Sequence, residues 1–108
     1  MFEQDGVVVA LVFGEIDMAT VGQVRAALLE EVHRFPRALV IDLGPVTFFA
    51  SSGVEMLVAL REEAAANQVR LAVVAANRAV NGILDVMGMR QVLDVYQSRV
   101  EAIAAAAG

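Results

Sequence analysis

Ser51 and Ser52 stand side by side, followed by Gly53, where an apolar stretch gives way to a helical pattern. Hydroxyls at a helix start can do two things. One can cap the helix by accepting from a free backbone N–H. Ser52 suits that role, because Glu55 lies three residues on and can reciprocate in a capping box. Ser51 is then left on the loop, its hydroxyl open to solvent. As a nucleophile it would need a base, and the single histidine, His33, falls near the far end of another helix. The surrounding residues do not form a G-x-S-x-G elbow. A hydrolase is therefore disfavoured by the geometry a triad needs. A phosphate acceptor needs no internal base, since a kinase supplies its own.

A second polar segment is Gly14-Glu15-Ile16-Asp17, with Thr20 just beyond. Its acids fall between a strand and a helix. They can simply complement the helix N-terminus. They can also form an acidic lip at the strand ends, where open α/β sheets bind their partners.

Composition removes other chemistries. The chain has no Cys, one His, eight Arg and no Lys. A disulfide scaffold, a zinc ribbon and a thiol nucleophile are excluded, and a His-based metal site is implausible. The net charge of −5 argues against direct nucleic-acid binding. Without Lys, a kinase or P-loop phosphate clamp is disfavoured. No cofactor is expected. No run of about eighteen apolar residues could span a membrane. The first residues carry acids and no base, unlike a signal peptide, so a cytoplasmic location is expected.

The elements that must hold these residues follow from period. The length of 108 residues fits one domain, and 58% hydrophobic residues can fill its core. Val7 to Phe13, Ala38 to Leu43 and Val69 to Ala75 read as strands buried on both faces. Phe2 could pair briefly at an edge, and Val92 to Tyr96 makes a short edge strand. Val21, Val24, Leu28, Val32 and Phe35 recur at helical spacing behind a Thr20–Gln23 capping box, and Pro36 ends that helix. Val46 to Ala50 is an approach to the next helix, about residues 53–66, with Asn67 as a left-handed terminus. Asn77 caps a third helix with Val80, Ile83, Leu84 and Met87 on one face, stopped by Gly88. Ser98 with Glu101 caps a fourth, whose Ala-rich end is expected to fray. Strand and helix alternate, which predicts an α/β fold: a mainly parallel sheet of four to five strands flanked by four helices. The helix after Ser52 is apolar nearly all round, from Val54 through Leu60. It is either wedged between neighbours or presents Val54 and Met56 as a docking patch.

Taken in order, these segments resemble the STAS domains, and in particular the bacterial anti-sigma factor antagonists. The resemblance runs through Gly14-Glu15-Ile16-Asp17 and Thr20, then Leu39 to Leu43 and Val46-Thr47-Phe48. It continues through Ser51-Ser52-Gly53 with the Val54 to Leu60 helix, and closes with Asn77-Arg78-Ala79-Val80 and Met87-Gly88. It implies a regulatory protein with no catalytic residues, switching transcription by freeing a sigma factor from its anti-sigma factor. The anti-sigma factor is itself a serine kinase, and the family's phosphorylated Ser corresponds to Ser51. A serine phosphatase reverses the modification. Partner binding is implied for Asp17, Thr20, Ser51, Ser52, Gly53, Val54 and Met56. The family's Asp before the phosphorylated Ser is Ala50 here. A second reading of the same resemblance is an accessory subunit of a lipid or anion transport complex. Such subunits often carry Thr or another residue where this chain has Ser51, which favours the antagonist.

Overall fold

Alternation within the Val-rich runs sets the layers. The computed structural model describes residues 1–108. In chain order its elements are β1 (Phe2–Gln4), β2 (Val7–Leu11), β3 (Gly14–Ile16), α1 (Val21–Val32), β4 (Ala38–Asp42), β5 (Val46–Phe49), α2 (Ser51–Ala66), β6 (Arg70–Val74), α3 (Arg78–Met87), β7 (Val95–Tyr96) and α4 (Arg99–Ala107). The main sheet has the order β1-β2-β4-β6-β7. Only β1 runs antiparallel, to β2; the other neighbours are parallel.

Successive residues of a strand point to opposite faces. Ala10, Leu39, Ile41, Leu71 and Val73 therefore pack with Leu28 and Val32 of α1, Leu57 and Leu60 of α2, and Val80 and Leu84 of α3. Their neighbours Val7, Val9, Val40 and Val74 face the other way, onto Ala102, Ile103 and Ala106 of α4. Three helices cover one face and one helix the other. The α/β expectation, with four helices and a mainly parallel sheet, is what the chain adopts.

Several local expectations need correction. The first strand stops at Leu11 rather than Phe13. The chain turns away through Gly14, at φ +83°, to form β3. β3 pairs in parallel with β5, so the approach segment Val46–Phe49 is itself a strand, in a separate two-stranded sheet. Three residues with an exposed Glu15 carry too little periodicity to announce this. The edge pairing of Phe2 is a full hairpin: Asp5 and Gly6 both take positive φ, 57° and 79°. That is the geometry a two-residue Asp-Gly turn favours. The left-handed residue after α2 is Gln68, at φ 60°, not Asn67. The Asn67 side chain instead donates back to the Glu63 carbonyl at 2.8 Å.

The Ala-rich α4, expected to fray, runs to Ala107. Its last carbonyls accept from two arginines at the starts of neighbouring strands. Arg70 reaches Ala105 O at 2.8 Å, and Arg37 reaches Ala107 O. Cations there also complement the negative end of the helix dipole. At its other end, Arg99 pairs with the buried Asp42 carboxylate at 2.9 Å. The same carboxylate accepts from the Gly44 N–H at 2.9 Å, so no lone buried charge remains. The helix is thus fixed at both ends despite its small side chains.

Candidate docking site at the ends of β3 and β5

The small sheet brings the two polar segments together. Ile16 is in register with Phe49, and the Ala50 N–H donates to Ile16 O at 2.9 Å. Parallel pairing carries both strands toward the same end, so Asp17 leaves β3 beside the residue where Ala50 leaves β5. The loop to α1 and the start of α2 therefore share one surface.

Asp17 and Thr20 build that loop. The Asp17 N–H donates to Thr20 Oγ1 at 3.0 Å, and the Thr20 hydroxyl donates to Glu15 O at 2.7 Å. Asp17 Oδ1 accepts from the N–H groups of Ala19 and Thr20, at 2.9 and 3.1 Å. Thr20 is the residue before α1, as expected, but its side chain caps nothing in the helix. The capping box with Gln23 is not made because that hydroxyl is already committed to the loop. Asp17 and Thr20 thus shape the site. The loop they fix presents Met18, which is 87% exposed.

At the second segment the assignment of the two serines changes. Ala50 precedes the first helical residue, in an extended conformation, and no side chain caps α2. Ser51 is its exposed first residue. Ser52 lies one position inside, and its hydroxyl is buried with no hydrogen-bond partner. The Ser52–Glu55 capping box therefore does not form: Ser52 already has helical geometry, and a capping residue must sit outside the helix. Ser51 is still the accessible hydroxyl, because Ser52 is enclosed and not because Ser52 is the cap. Ser52 lies with Val21, Arg25, Glu55, Met56 and Ala59 along a groove of about 250 Å³ between α1 and α2.

The docking patch expected at Val54 and Met56 is not on the surface. Val54 is 1% exposed and Met56 4%. Both belong to the core, because α2 is wedged between α1 and α3 as well as lying on the sheet. This explains why its first two turns are apolar nearly all round. Gly53 is also buried, under the ring of Phe49. The exposed apolar groups at this end are Phe48, 52% exposed on β5, and Met18. The sequence gives no signal for Phe48, because strand alternation from Val46 would turn it inward. A register shift between Gly14 and Glu15 leaves Thr47 without a partner, so Val46 and Phe49 are inside and Thr47 and Phe48 are both outside. Phe48 pairs with exposed Glu15, so an aromatic ring and a carboxylate stand together on the small sheet.

One side-chain hydrogen bond links the supporting helices. His33 Nε2 lies 2.9 Å from Glu63 Oε1, joining the end of α1 to α2. The imidazole holds the Glu63 carboxyl below the usual carboxylate range, against the opposing effect of partial burial. No helix of the structure is long and apolar enough to cross a membrane.

The sequence model of the STAS domain matches residues 1–102. The chain is 31% identical over 106 residues to the anti-sigma-F factor antagonist RsfB of Mycobacterium tuberculosis, covering 98% of this chain and 86% of that protein. It is 28% identical over 102 residues to the putative anti-sigma factor antagonist BtrV of Bordetella bronchiseptica, covering 94% and 87%. The crystal structure of an anti-sigma factor antagonist from Mycobacterium paratuberculosis superposes with a TM-score of 0.92 at 33% identity, covering 99% of this chain and 91% of that one. With nearly its whole length matched in sequence and in fold, the chain belongs to the STAS domain family.

Proposed function

We propose that this protein is an anti-sigma factor antagonist that acts as a single STAS domain in the cytoplasm. It binds an anti-sigma factor through the surface around Ser51 and so frees a sigma factor. The observation that carries this reading is the position of Ser51, the exposed first residue of α2. Around it stand the loop knitted by Asp17 and Thr20 and the exposed side chains of Met18 and Phe48. Relatives at 31% and 33% identity named as antagonists support it. The partner is an anti-sigma factor with serine kinase activity. Ser51 Oγ attacks the γ-phosphorus of ATP held by that kinase, the bond to ADP breaks, and the hydroxyl proton passes to the kinase's base. A serine phosphatase returns the hydroxyl.

A phosphate on Ser51 meets the free N–H groups and positive dipole end of α2, so the fold tolerates it. It adds about −1.5 to −2 charges to a surface that already carries Glu15 and Asp17. Met18 and Phe48 must be dried on docking, and the desolvation cost of the phosphate opposes that. The protein itself contributes no nucleophile–base pair and turns over no substrate. The experiment is incubation with each anti-sigma kinase of the host and ATP, followed by phosphopeptide mass spectrometry. Phosphate on Ser51 and none on Ser52 is expected. Phosphate on Ser52 alone overturns the site assignment.

A further inference from the structure

Along the outer side of α2, beyond its first turn, lies a groove that the reading of Ser51 does not use. Glu55, Val58, Ala59 and Glu62 line it from α2, and Met87 and Met89 line it from the end of α3 and the turn after it. Its volume is about 320 Å³. Val58, Met87 and Met89 are half-buried against the core, and the enclosed Val54 closes the bottom. Glu55 and Glu62 are exposed, and neither enters any of the molecule's ion pairs.

The spacing of these groups is specific. Positions 55 and 62 are about two turns apart on one side of the helix, roughly 10 Å along its axis. Two unpaired carboxylates therefore stand along an apolar trough at a helical repeat. Methionine side chains adapt their shape to an incoming surface. A helix laid in a groove presents anchors at i, i+3, i+4 and i+7. The charge of the whole chain, −5, favours a basic visitor over an acidic one.

We propose that this groove seats a basic amphipathic helix of a protein partner. Its apolar stripe lies on Val58, Met87 and Met89, and two of its cations, about two turns apart, meet Glu55 and Glu62. This seating does not depend on phosphorylation of Ser51.

The test uses the full chain with labelled Met and Val methyl groups, titrated in an NMR tube. The probe is a synthetic amphipathic peptide helix with a Leu stripe and Arg residues seven positions apart. The control is the same peptide with Glu in place of Arg. The Arg peptide is expected to shift the methyl signals of Val58, Met87 and Met89. Binding is expected to fall by about tenfold in the double variant Glu55→Arg, Glu62→Arg, the size two exposed ion pairs supply. Ser51→Asp is expected to leave peptide binding within about twofold, which separates this result from failure of the Ser51 reading. Three results overturn the proposal. One is absent shifts, or shifts confined to the Met18 and Phe48 end. Another is equal binding of the Glu peptide or of the charge-reversed variant. The last is shifts at Met87 and Met89 that follow protein concentration alone, which would make the groove a contact between copies of this chain.

Discussion

The ring of Phe49 occupies the space that a side chain at Gly53 would need: a Cβ on Gly53 would stand 2.6 Å from the ring's edge. The last residue of β5 thus packs directly onto the first turn of α2, and the glycine after the two serines is there for that contact. Gly53→Ala is predicted to cost about 1–3 kcal/mol through overpacking, partly offset by alanine's better helix propensity, about 1 kcal/mol. Adding Phe49→Leu should recover part of the loss, because the clashing ring is gone. Urea melts of the single and double variants check this. Full additivity of the two losses would show that the contact is not the cause.

Position 50 is the residue before the first helical one, where a carboxylate makes a good cap. The resemblance to the STAS antagonists implies an acid there, and this chain has Ala50. Ala50→Asp is predicted to stabilise the fold by about 1 kcal/mol, by accepting from the Ser52 N–H, since the Gly53 N–H already donates to Ala50 O. The same change should raise the rate of Ser51 phosphorylation by a cognate kinase. A melting midpoint that does not rise in Ala50→Asp would contradict the capping argument.

Met56, expected in a docking patch, lies in the core, whereas Phe48 is exposed. Met56→Asp puts a charge among core side chains and should unfold the domain, since burial of an unpaired charge costs several kcal/mol of a small total. Phe48→Asp changes an exposed position and should keep the fold while weakening partner binding by tenfold or more, as loss of an aromatic anchor does. Circular dichroism beside a binding titration separates the two. A folded Met56→Asp protein that no longer binds would return that residue to the interface.

The strands that were legible in the sequence are those with long β-branched runs. Val7 onward, Ala38 onward and Val69 onward each fall within two residues of the observed ends at both termini. Asn77 and Ser98 were legible as caps because each has its side chain bonded to the third residue on, Val80 and Glu101. The small sheet was not legible, since β3 has three residues and owes its pairing to β5, more than thirty positions away. Nor was the ownership of hydroxyls. Thr20 and Ser52 both match capping boxes, yet the loop claims one and the helix encloses the other. Apolarity around the whole of α2 could not show which side is covered, because only the placement of α1 and α3 decides it.

Glu63 should report the contact between α1 and α2 through its titration. Its carboxylate form is favoured in the fold by His33 first, with Asn67 and Arg25 assisting and burial opposing. Its folded value is therefore below its ordinary 4.5. The contact contributes stability above the unfolded value and loses it as pH falls through the lower folded value. An NMR side-chain titration should place the Glu63 midpoint below 4.5, and His33→Ala should move it upward. A midpoint at or above 4.5 in the unaltered protein would remove this link.

Ser51 is proposed as a switch at a docking surface. The most direct measurement is isothermal titration of the cognate anti-sigma factor with three forms of the chain: unaltered, Ser51→Ala and Ser51→Asp. The unaltered protein and Ser51→Ala should bind alike, since that hydroxyl caps nothing. Ser51→Asp should bind at least tenfold more weakly, with its circular dichroism unchanged, because a charge now enters the surface that docking must dry. Equal binding by all three forms would contradict the switch.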